Sequence, residues 1–465
     1  MNRWALKGMT ALLELGCAVA LVRVIATIFL HVPLDPNEGW NAYHSLAAMS
    51  GGALYPPPDS LLFNNYPPLS FYIVGALGQL TGDHIFAGRV LSLLATLGVA
   101  GGIFAALRMM QTDALRAAFA AFLFVAGLLI FTDYVGMDDP QLLGHAVAMG
   151  GLLLLLREPR TTTSIVAVAL LLVIAGFIKH NLIALPVALT IWLAIYERRN
   201  AVKLAVAGIA FAVIGVASFR LAYGVSLFAQ LNSPRLWSAA IFTTNLQQFL
   251  LWANISLSGA IALLLIGRDD KRVALSVLYA ASSIAVGVAF AGGAGVDMNI
   301  WFDAAIALAL CSGLLFERLK DWDWVSSGVT LAYIVPLLAG LSLNWDDDWL
   351  TRDYWLHPLA DETASAEADI AFLQSHNGPA FCEMLSLCYW AGKREEVDVF
   401  NLGQAYATRA RSDAALIRLI RARHYAAIEL DSLEKFALGP SVRQAVLRAY
   451  RVDHADDNGV FQLPR

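Results

Sequence analysis

The stretch Pro33-Leu34-Asp35-Pro36-Asn37-Glu38-Gly39-Trp40-Asn41-Ala42-Tyr43 follows directly on the first long apolar run, Leu12 to Leu30. Two carboxylates three residues apart therefore stand at the mouth of a helix of membrane-spanning length. Ionisable groups at a bilayer are costly, and their default reading is functional. The pair has two explanations. Asp35 before Pro36, with Glu38 in the following turn, is an ordinary helix start. Alternatively one acid is a general base whose pKa is raised by partial burial.

Composition decides the class. Of 465 residues, 58% are apolar and only 15% charged, with a mean hydropathy of +0.60. Soluble domains carry about 25% charged residues, so the chain reads as an integral membrane protein. The net charge of -5, with no basic run, gives no sign of a nucleic-acid partner. The first apolar run has a basic start but is longer than a signal h-region. His31-Val32-Pro33-Leu34 follows it, rather than a small-residue cleavage site, so it reads as a retained helix.

A helix needs about 20 apolar residues to cross a bilayer. Eleven runs qualify or nearly do: 9–30, 85–107, 114–132, 140–156, 162–177, 181–196, 201–222, 247–267, 273–291, 301–316 and 324–343. The shorter run Leu69 to Leu80 suits a partial span or an interfacial helix. With the N-terminus inside, the inner segments hold Arg3 and Lys7; Arg108 and Arg116; Arg157 and Arg160; Arg198, Arg199 and Lys203; Arg268, Lys271 and Arg272; Arg318 and Lys320. The outer loops hold Lys179 and Arg235, with Arg89 and Arg220 at helix ends, and the long loop 31–84 holds neither Lys nor Arg. This bias fixes an orientation with an outer C-terminus, in the periplasm of a Gram-negative cell. The helices at 162–177 and 181–196 are short, so their turn, Phe177 to Asn181, is expected below the membrane surface, lining a cavity.

From Asn344 onward charged residues become frequent. Ala364–Gln374 and Ala414–Ala422 read as helices, and 379–384, 397–401 and 425–430 as strands. The expected fold is thus an all-α polytopic membrane bundle, residues 1–345, with a small C-terminal α/β extracytoplasmic domain, residues 346–465. Cys17 and Cys311 lie in apolar runs and suit packing. Cys382 and Cys388 would meet an oxidising compartment, where pairing and simple burial both remain open. No C-x-x-C occurs, so neither a metal nor a redox motif is indicated.

With this orientation the unusual polar residues gather at the outer mouths. Asp35 and Glu38 are the candidate bases. Asp138 and Asp139, before Pro140, read either as a helix cap or as a second carboxylate for the acceptor or a divalent ion. Lys179, His180 and Arg89 are candidate ligands of a lipid phosphate, against snorkelling as the plain alternative. Tyr66, in Asn64-Asn65-Tyr66-Pro67-Pro68-Leu69, together with Asp297, Asn299 and Asp303 after a glycine-rich segment, would complete the lining. Arg23, inside the first span, needs a partner, and Asp35 or Glu38 is the nearest candidate in sequence. No cofactor is expected, with a divalent cation as the alternative.

Several features occur here in one order: an outer acid pair after the first span, Tyr-Pro-Pro-Leu in the same loop, Gly-Arg opening the next span, acids at the fourth mouth and a late glycine-rich Asn/Asp segment. This resembles the GT-C superfamily of membrane glycosyltransferases over residues 8–345, especially the bacterial protein mannosyltransferase and aminoarabinose transferase group. The resemblance implies a polyprenyl-phosphate-linked sugar donor, inversion at the anomeric carbon and an outer-leaflet site in the inner membrane. It implies a glycan, lipid or protein acceptor and a carboxylate base. In that group the base region is an adjacent Asp-Glu; Asn37-Glu38 stands there in this chain, with Asp35 two residues earlier, so the choice is open and leans to Glu38. Asp138 and Asp139 match the second acid and Lys179 the phosphate ligand. A transporter or flippase of lipid-linked sugars and a polysaccharide polymerase are the rival readings. A transporter would place polar groups near mid-membrane in paired halves, and neither feature is visible.

Overall fold

The computed structural model describes residues 3–51, 53–131, 133–322, 325, 327–333, 335, 352–434 and 436–465. The membrane part is built from α1 (Arg3–Ile28), α2 (Pro36–Ser50), α3 (Leu69–Thr81), α4 (His84–Met109), α5 (Ala114–Phe131), α6 (Gln141–Leu156), α7 (Thr162–Ile178), α8 (Ala184–Tyr196), α9 (Arg198–Tyr223), α10 (Ser226–Leu231), α11 (Ala239–Gly267), α12 (Lys271–Phe290) and α13 (Phe302–Arg318). Ten of the eleven apolar runs coincide with helices of this set. The eleventh, 324–343, falls largely outside the described residues. Six described segments are long and apolar enough to cross a membrane, namely Leu6–Ile28, His84–Met109, Arg198–Tyr223, Ala239–Gly267, Lys271–Phe290 and Met298–Arg318. The remaining apolar helices are shorter.

Burial separates central from peripheral helices. In α13, 94% of the spanning window is buried; in α9 only 6% is. The sequence of α13 explains this, because alanines, Gly313 and alternating leucines let α4, α5, α11 and α12 close around it. The branched residues of α9, such as Val206, Ile209 and Val213, instead face outward. Apolar surface facing lipid carries no penalty, so such a helix needs few protein neighbours.

The loop 31–84 is not extended. It contains α2 and α3, which pack on each other and on α4. The run at 69–80 is therefore a helix braced on the bundle. Asp35 is the N-cap of α2: its Oδ1 accepts from Asn37 N at 2.7 Å, and Pro36 follows at the first helical position. Gly51, in the left-handed conformation at φ 73°, ends the helix.

The C-terminal domain, termed outer after the side expected from the charge bias, starts with helix Arg352–Ser375 and carries a four-stranded sheet: β1 (Ala380–Cys382), β2 (Ala427–Leu430), β3 (Tyr450–Asp456) and β4 (Gly459–Pro464). The order is β1-β2-β4-β3, with β1 and β2 parallel and the other pairs antiparallel. Its own apolar cores, around Phe381, Leu402, Ile428 and Val446 and around Ala366, Leu373 and Leu387, are distinct from that of the bundle. The strand expected at 397–401 is instead the start of helix Val399–Ala407. Asp398 caps it, accepting from Asn401 N at 2.9 Å, and a cap of that strength overrides a short run of β-formers. The β3–β4 hairpin and helices Leu385–Trp390 and Pro440–Ala449 were not foreseen. Cys382 and Cys388 form a disulfide.

The domain is seated on α2. Gly39 lies so close to helix Leu385–Trp390 that an added Cβ would stand 2.2 Å from the Leu385 carbonyl carbon. Trp40 Nε1 donates to Asp398 Oδ2 at 3.1 Å and Tyr43 OH to Lys393 O at 2.9 Å. Trp390 Nε1 reaches Asp83 Oδ2 at 3.1 Å, and the His84 ring meets Tyr389 OH at 2.8 Å. Phe63 of the same loop is buried in the outer core. Arg23 pairs with Glu362 of the outer helix at 2.7 Å, which corrects the expectation that Asp35 or Glu38 would meet it.

Candidate active site

The two acids of the opening stretch take opposite environments, because Asp35 is the N-cap with extended backbone (φ -159°, ψ 145°), whereas Glu38 already stands in the first helical turn. Glu38 points into the bundle and is 0% exposed. Its Oε1 accepts from Arg89 Nε at 2.7 Å and Asp138 N at 3.1 Å, and its Oε2 from Arg89 NH2 at 2.6 Å and Leu34 N at 3.2 Å. Arg89 also donates to the carbonyls of Thr27 at 2.6 Å, Leu30 at 3.0 Å and Val32 at 2.6 Å. A guanidinium has five N–H groups, and all five are used. Arg89, expected to bind a donor phosphate, instead has its donors engaged within the protein and ties the end of α1 and the α2 acid to α4. Gly88 beside it admits Asp138, whose Oδ1 lies 1.9 Å from where a Cβ would stand.

Asp35 points the other way, into a cavity of about 230 Å³ between the bundle mouth and the outer domain. Its Oδ1 caps α2, whereas Oδ2 has no hydrogen-bond partner among the described residues. Capping and facing the cavity are thus compatible roles of one carboxylate. Burial lifts its pKa to about 6; the Asn37 N–H opposes this, and the charges of Glu38, Asp139 and Asp297 add to it. The membrane part also supplies Asn37, Trp40, Asn65, Tyr66, Tyr134, Arg235, Gly295 and Asn299 to the wall, and the outer domain supplies Glu383, Leu385 and residues 398–401.

The other expected site residues divide. Tyr66 and Asn299 line the cavity. Lys179 is buried directly behind Tyr66, its Nζ 3.6 Å from the ring centroid and 3.4 Å from Asp139 Oδ2. Asp139 also accepts from Gln141 N at 2.7 Å, so it both caps α6 and holds the lysine. His180 is exposed beside Tyr66, with ring centroids 6.3 Å apart. Asp138 is 1% exposed and its Oδ2 has no hydrogen-bond partner among the described residues. Burial, with Glu38 and Asp139 beside it, pushes its carboxyl well above the usual carboxylate range. Asp297 is exposed but does not line the cavity, while Asp303 turns into the bundle, accepting from Tyr279 OH at 2.5 Å near His145.

Sequence reasoning missed Arg235, Glu383, Asp398 and Asn401. Arg235 was visible only as a rare basic residue on the outer side. It is exposed, donates to Ala294 O at 3.2 Å and leaves its other N–H groups without acceptors among the described residues. Among the cavity's lining residues it is the one Lys or Arg. The outer-domain residues carry no local signal, since only tertiary folding brings them to α2. Asp138 and Asp139 do not form an open oxygen cage for a cation. Among the described residues the one cluster with metal-ligand spacing, Asp369, His454 and Asp456, lies in the outer domain away from the cavity lining.

A helical bundle with a mouth-level helix after the first span, capped by a C-terminal α/β domain, is similar in fold to solved membrane glycosyltransferases. The apo structure of ArnT, the aminoarabinose transferase, from Cupriavidus metallidurans matches 97% of this chain and 98% of its own at a TM-score of 0.64 and 16% identity. The same enzyme bound to undecaprenyl phosphate matches at 0.64 and 15% over the same shares. The Archaeoglobus fulgidus oligosaccharyltransferase AglB, in complex with an inhibitory peptide and a dolichol-phosphate, matches 97% of this chain and 72% of its own at 0.57 and 12%. No family model and no curated protein matches the sequence. The likeness therefore lies in the fold.

Proposed function

We propose that this chain transfers a sugar from a polyprenyl-phosphate donor to an acceptor hydroxyl at the outer face of a bacterial inner membrane, with inversion. Asp35 is the general base. The observation that carries this is the contrast within one turn of α2: Glu38 is saturated by hydrogen bonds, whereas Asp35 presents a free oxygen, with its pKa near 6, to a cavity that also holds Arg235. A base with a pKa near the working pH is well matched to proton abstraction.

Asp35 takes the proton of the acceptor hydroxyl as its oxygen attacks the anomeric carbon. The bond from that carbon to the phosphate oxygen breaks, and the electron pair leaves with the lipid phosphate. Arg235, with His180 and Lys179 behind Tyr66, receives the charge that develops there. Asp35 then releases its proton to water. The undecaprenyl- and dolichol-phosphate complexes of the matching folds support a lipid phosphate donor. The charge bias of the loops supports an outward-facing mouth, and the change of composition near residue 345 supports a division into a transferase part and an outer domain.

The test is to incubate purified protein with a panel of polyprenyl-phosphate sugars and to follow transfer or slow donor hydrolysis. Asp35→Asn should abolish both while the protein stays folded. Full activity in that variant would reject the assignment. A topology reporter fused after Arg465 should read outside.

A further inference from the structure

We infer that the acceptor is an uncharged sugar, and that the outer-domain wall of the cavity, Glu383 above all, selects it against anionic acceptors. This rests on the glycosyl-transfer reading and specifies its second substrate.

Three observations carry it. First, the cavity is equipped for hydroxyl groups. The side-chain amides of Asn37, Asn65 and Asn299 line it, and none has a hydrogen-bond partner among the described residues. An amide both donates and accepts, which is what a ring of hydroxyls requires, and a site built for phosphate would need donors alone. Second, the outer domain presents an aromatic face. Phe400 is 41% exposed, an unusual state for a phenylalanine, yet it is held in place. It lies over Arg235 at 5.5 Å and against Gly295, where an added Cβ would stand 2.4 Å from its ring. The C–H faces of a pyranose are apolar and slightly positive, and they suit the negative face of a fixed aromatic ring.

Third, the charges are unevenly placed. Arg235 is committed to the donor phosphate. What remains is acidic: Asp35 below, and Glu383 and Asp398 from the outer domain. Asp398 spends both oxygens on Asn401 and Trp40. Glu383 accepts at Oε2 from Asp431 N at 3.0 Å, and its Oε1 has no partner among the described residues. It stands in the loop closed by the Cys382–Cys388 disulfide, which fixes it at the rim. A phosphorylated acceptor would approach like charges with no cation left to offset them, and such repulsion is how sites reject wrong partners.

The test uses the full chain, the donor panel above, and three acceptor sets: neutral oligosaccharides of hexoses, pentoses and N-acetylated sugars; the same oligosaccharides bearing phosphate monoesters; and hydroxyl-rich peptides. Products are read by mass. Transfer to a neutral oligosaccharide is expected, with kcat/KM at least about tenfold above its phosphorylated form. Glu383→Lys should narrow that ratio about tenfold, and Glu383→Gln by less. Thermal melting of both variants checks folding, so the glutamine variant decides if the lysine variant misfolds. Equal or better use of phosphorylated oligosaccharides or peptides would overturn the inference, as would an unchanged ratio in a folded variant. Asp35-dependent donor hydrolysis without transfer to any neutral oligosaccharide would overturn it while leaving the glycosyl-transfer reading intact. Absence of both activities would defeat that reading, and this inference with it.

Discussion

Glu38 and Arg89 meet inside the bundle as a closed pair; Asp35 and Arg235 face one cavity as an open set. Each sets a carboxylate against an arginine, and both acids lie within one turn of α2. What differs is saturation. Every N–H of Arg89 is used and Glu38 accepts four hydrogen bonds, so neither has capacity for a substrate. Among the described residues, Asp35 keeps one oxygen and Arg235 most of its donors without partners. A buried ion pair with complete hydrogen bonds fixes geometry; an ion with spare valence at a cavity can do chemistry. The closed pair holds α2 in place, and α2 holds the open carboxylate.

The largest expected effect is on the open side. Asp35→Asn should lower transfer by roughly 10²–10⁴-fold, and because asparagine caps helices as well as aspartate does, α2 should persist. The wild-type rate should rise with pH and reach half its plateau near the Asp35 pKa of about 6. Stability carries the opposite sign. A carboxyl whose pKa is raised on folding binds its proton more tightly in the folded state, so its contribution falls as pH rises from about 4 through about 6. The asparagine variant should therefore melt at or above the wild type at pH 7.5, with the difference shrinking toward pH 4. A variant that both loses activity and melts early would mean that the Asp35 charge serves the fold rather than the reaction.

The closed side should fail in the other way. Arg89→Leu strands a buried carboxylate and should cost about 3–5 kcal/mol, read as lost folded yield and a lowered melting temperature. Replacing Glu38 by Met in the same chain should recover part of that loss, since a missing pair is cheaper than half of one. If Arg89→Leu instead folds normally and raises the donor KM, Arg89 binds phosphate and the comparison collapses.

The sequence carried the scaffold well and the site in part. Long apolar runs and the positions of Lys and Arg are one-dimensional signals, and ten helices fall where those runs lie. The mouth acids stand out in the sequence because charge beside a membrane is rare. Their division of labour was not legible, because whether a carboxylate is saturated depends on partners 51 and 100 positions away, Arg89 and Asp138. Glu38 was favoured from its place in a motif, whereas the geometry favours Asp35. Arg235 and Glu383 stand in loops without periodicity and Phe400 at the start of a short helix, and they come together only through the docking of the C-terminal domain on the bundle. The strand expected at 397–401 failed for a local reason: Val397 and Val399 flank a strong cap in Asp398.

A smaller effect is expected at Arg235. Arg235→Gln removes the cavity's open guanidinium and should reduce kcat/KM for the donor by about 10²-fold, without a large change in melting temperature, since Ala294 O is its one acceptor among the described residues. A large loss of stability with unchanged kinetics would place Arg235 with Arg89 as a structural ion.

The smallest effect should come from the link between the two regions. Trp40→Phe keeps a ring against Tyr66 and Phe71 but removes the Nε1 hydrogen bond to Asp398. A hydrogen bond to a charged group contributes about 1.5–3 kcal/mol, and Asn401 still serves the same oxygen, so a loss near the lower figure is expected. Pairing Trp40→Phe with Asp398→Asn in a double-mutant cycle isolates the contact. Strong coupling in melting temperature, together with a fall in transfer larger than in donor hydrolysis, would show that the outer domain acts through α2 on acceptor placement. Additive effects would mean that the domain is seated by other contacts, such as Gly39 against Leu385 and Trp390 with Asp83, and that Trp40 serves the cavity only as a wall.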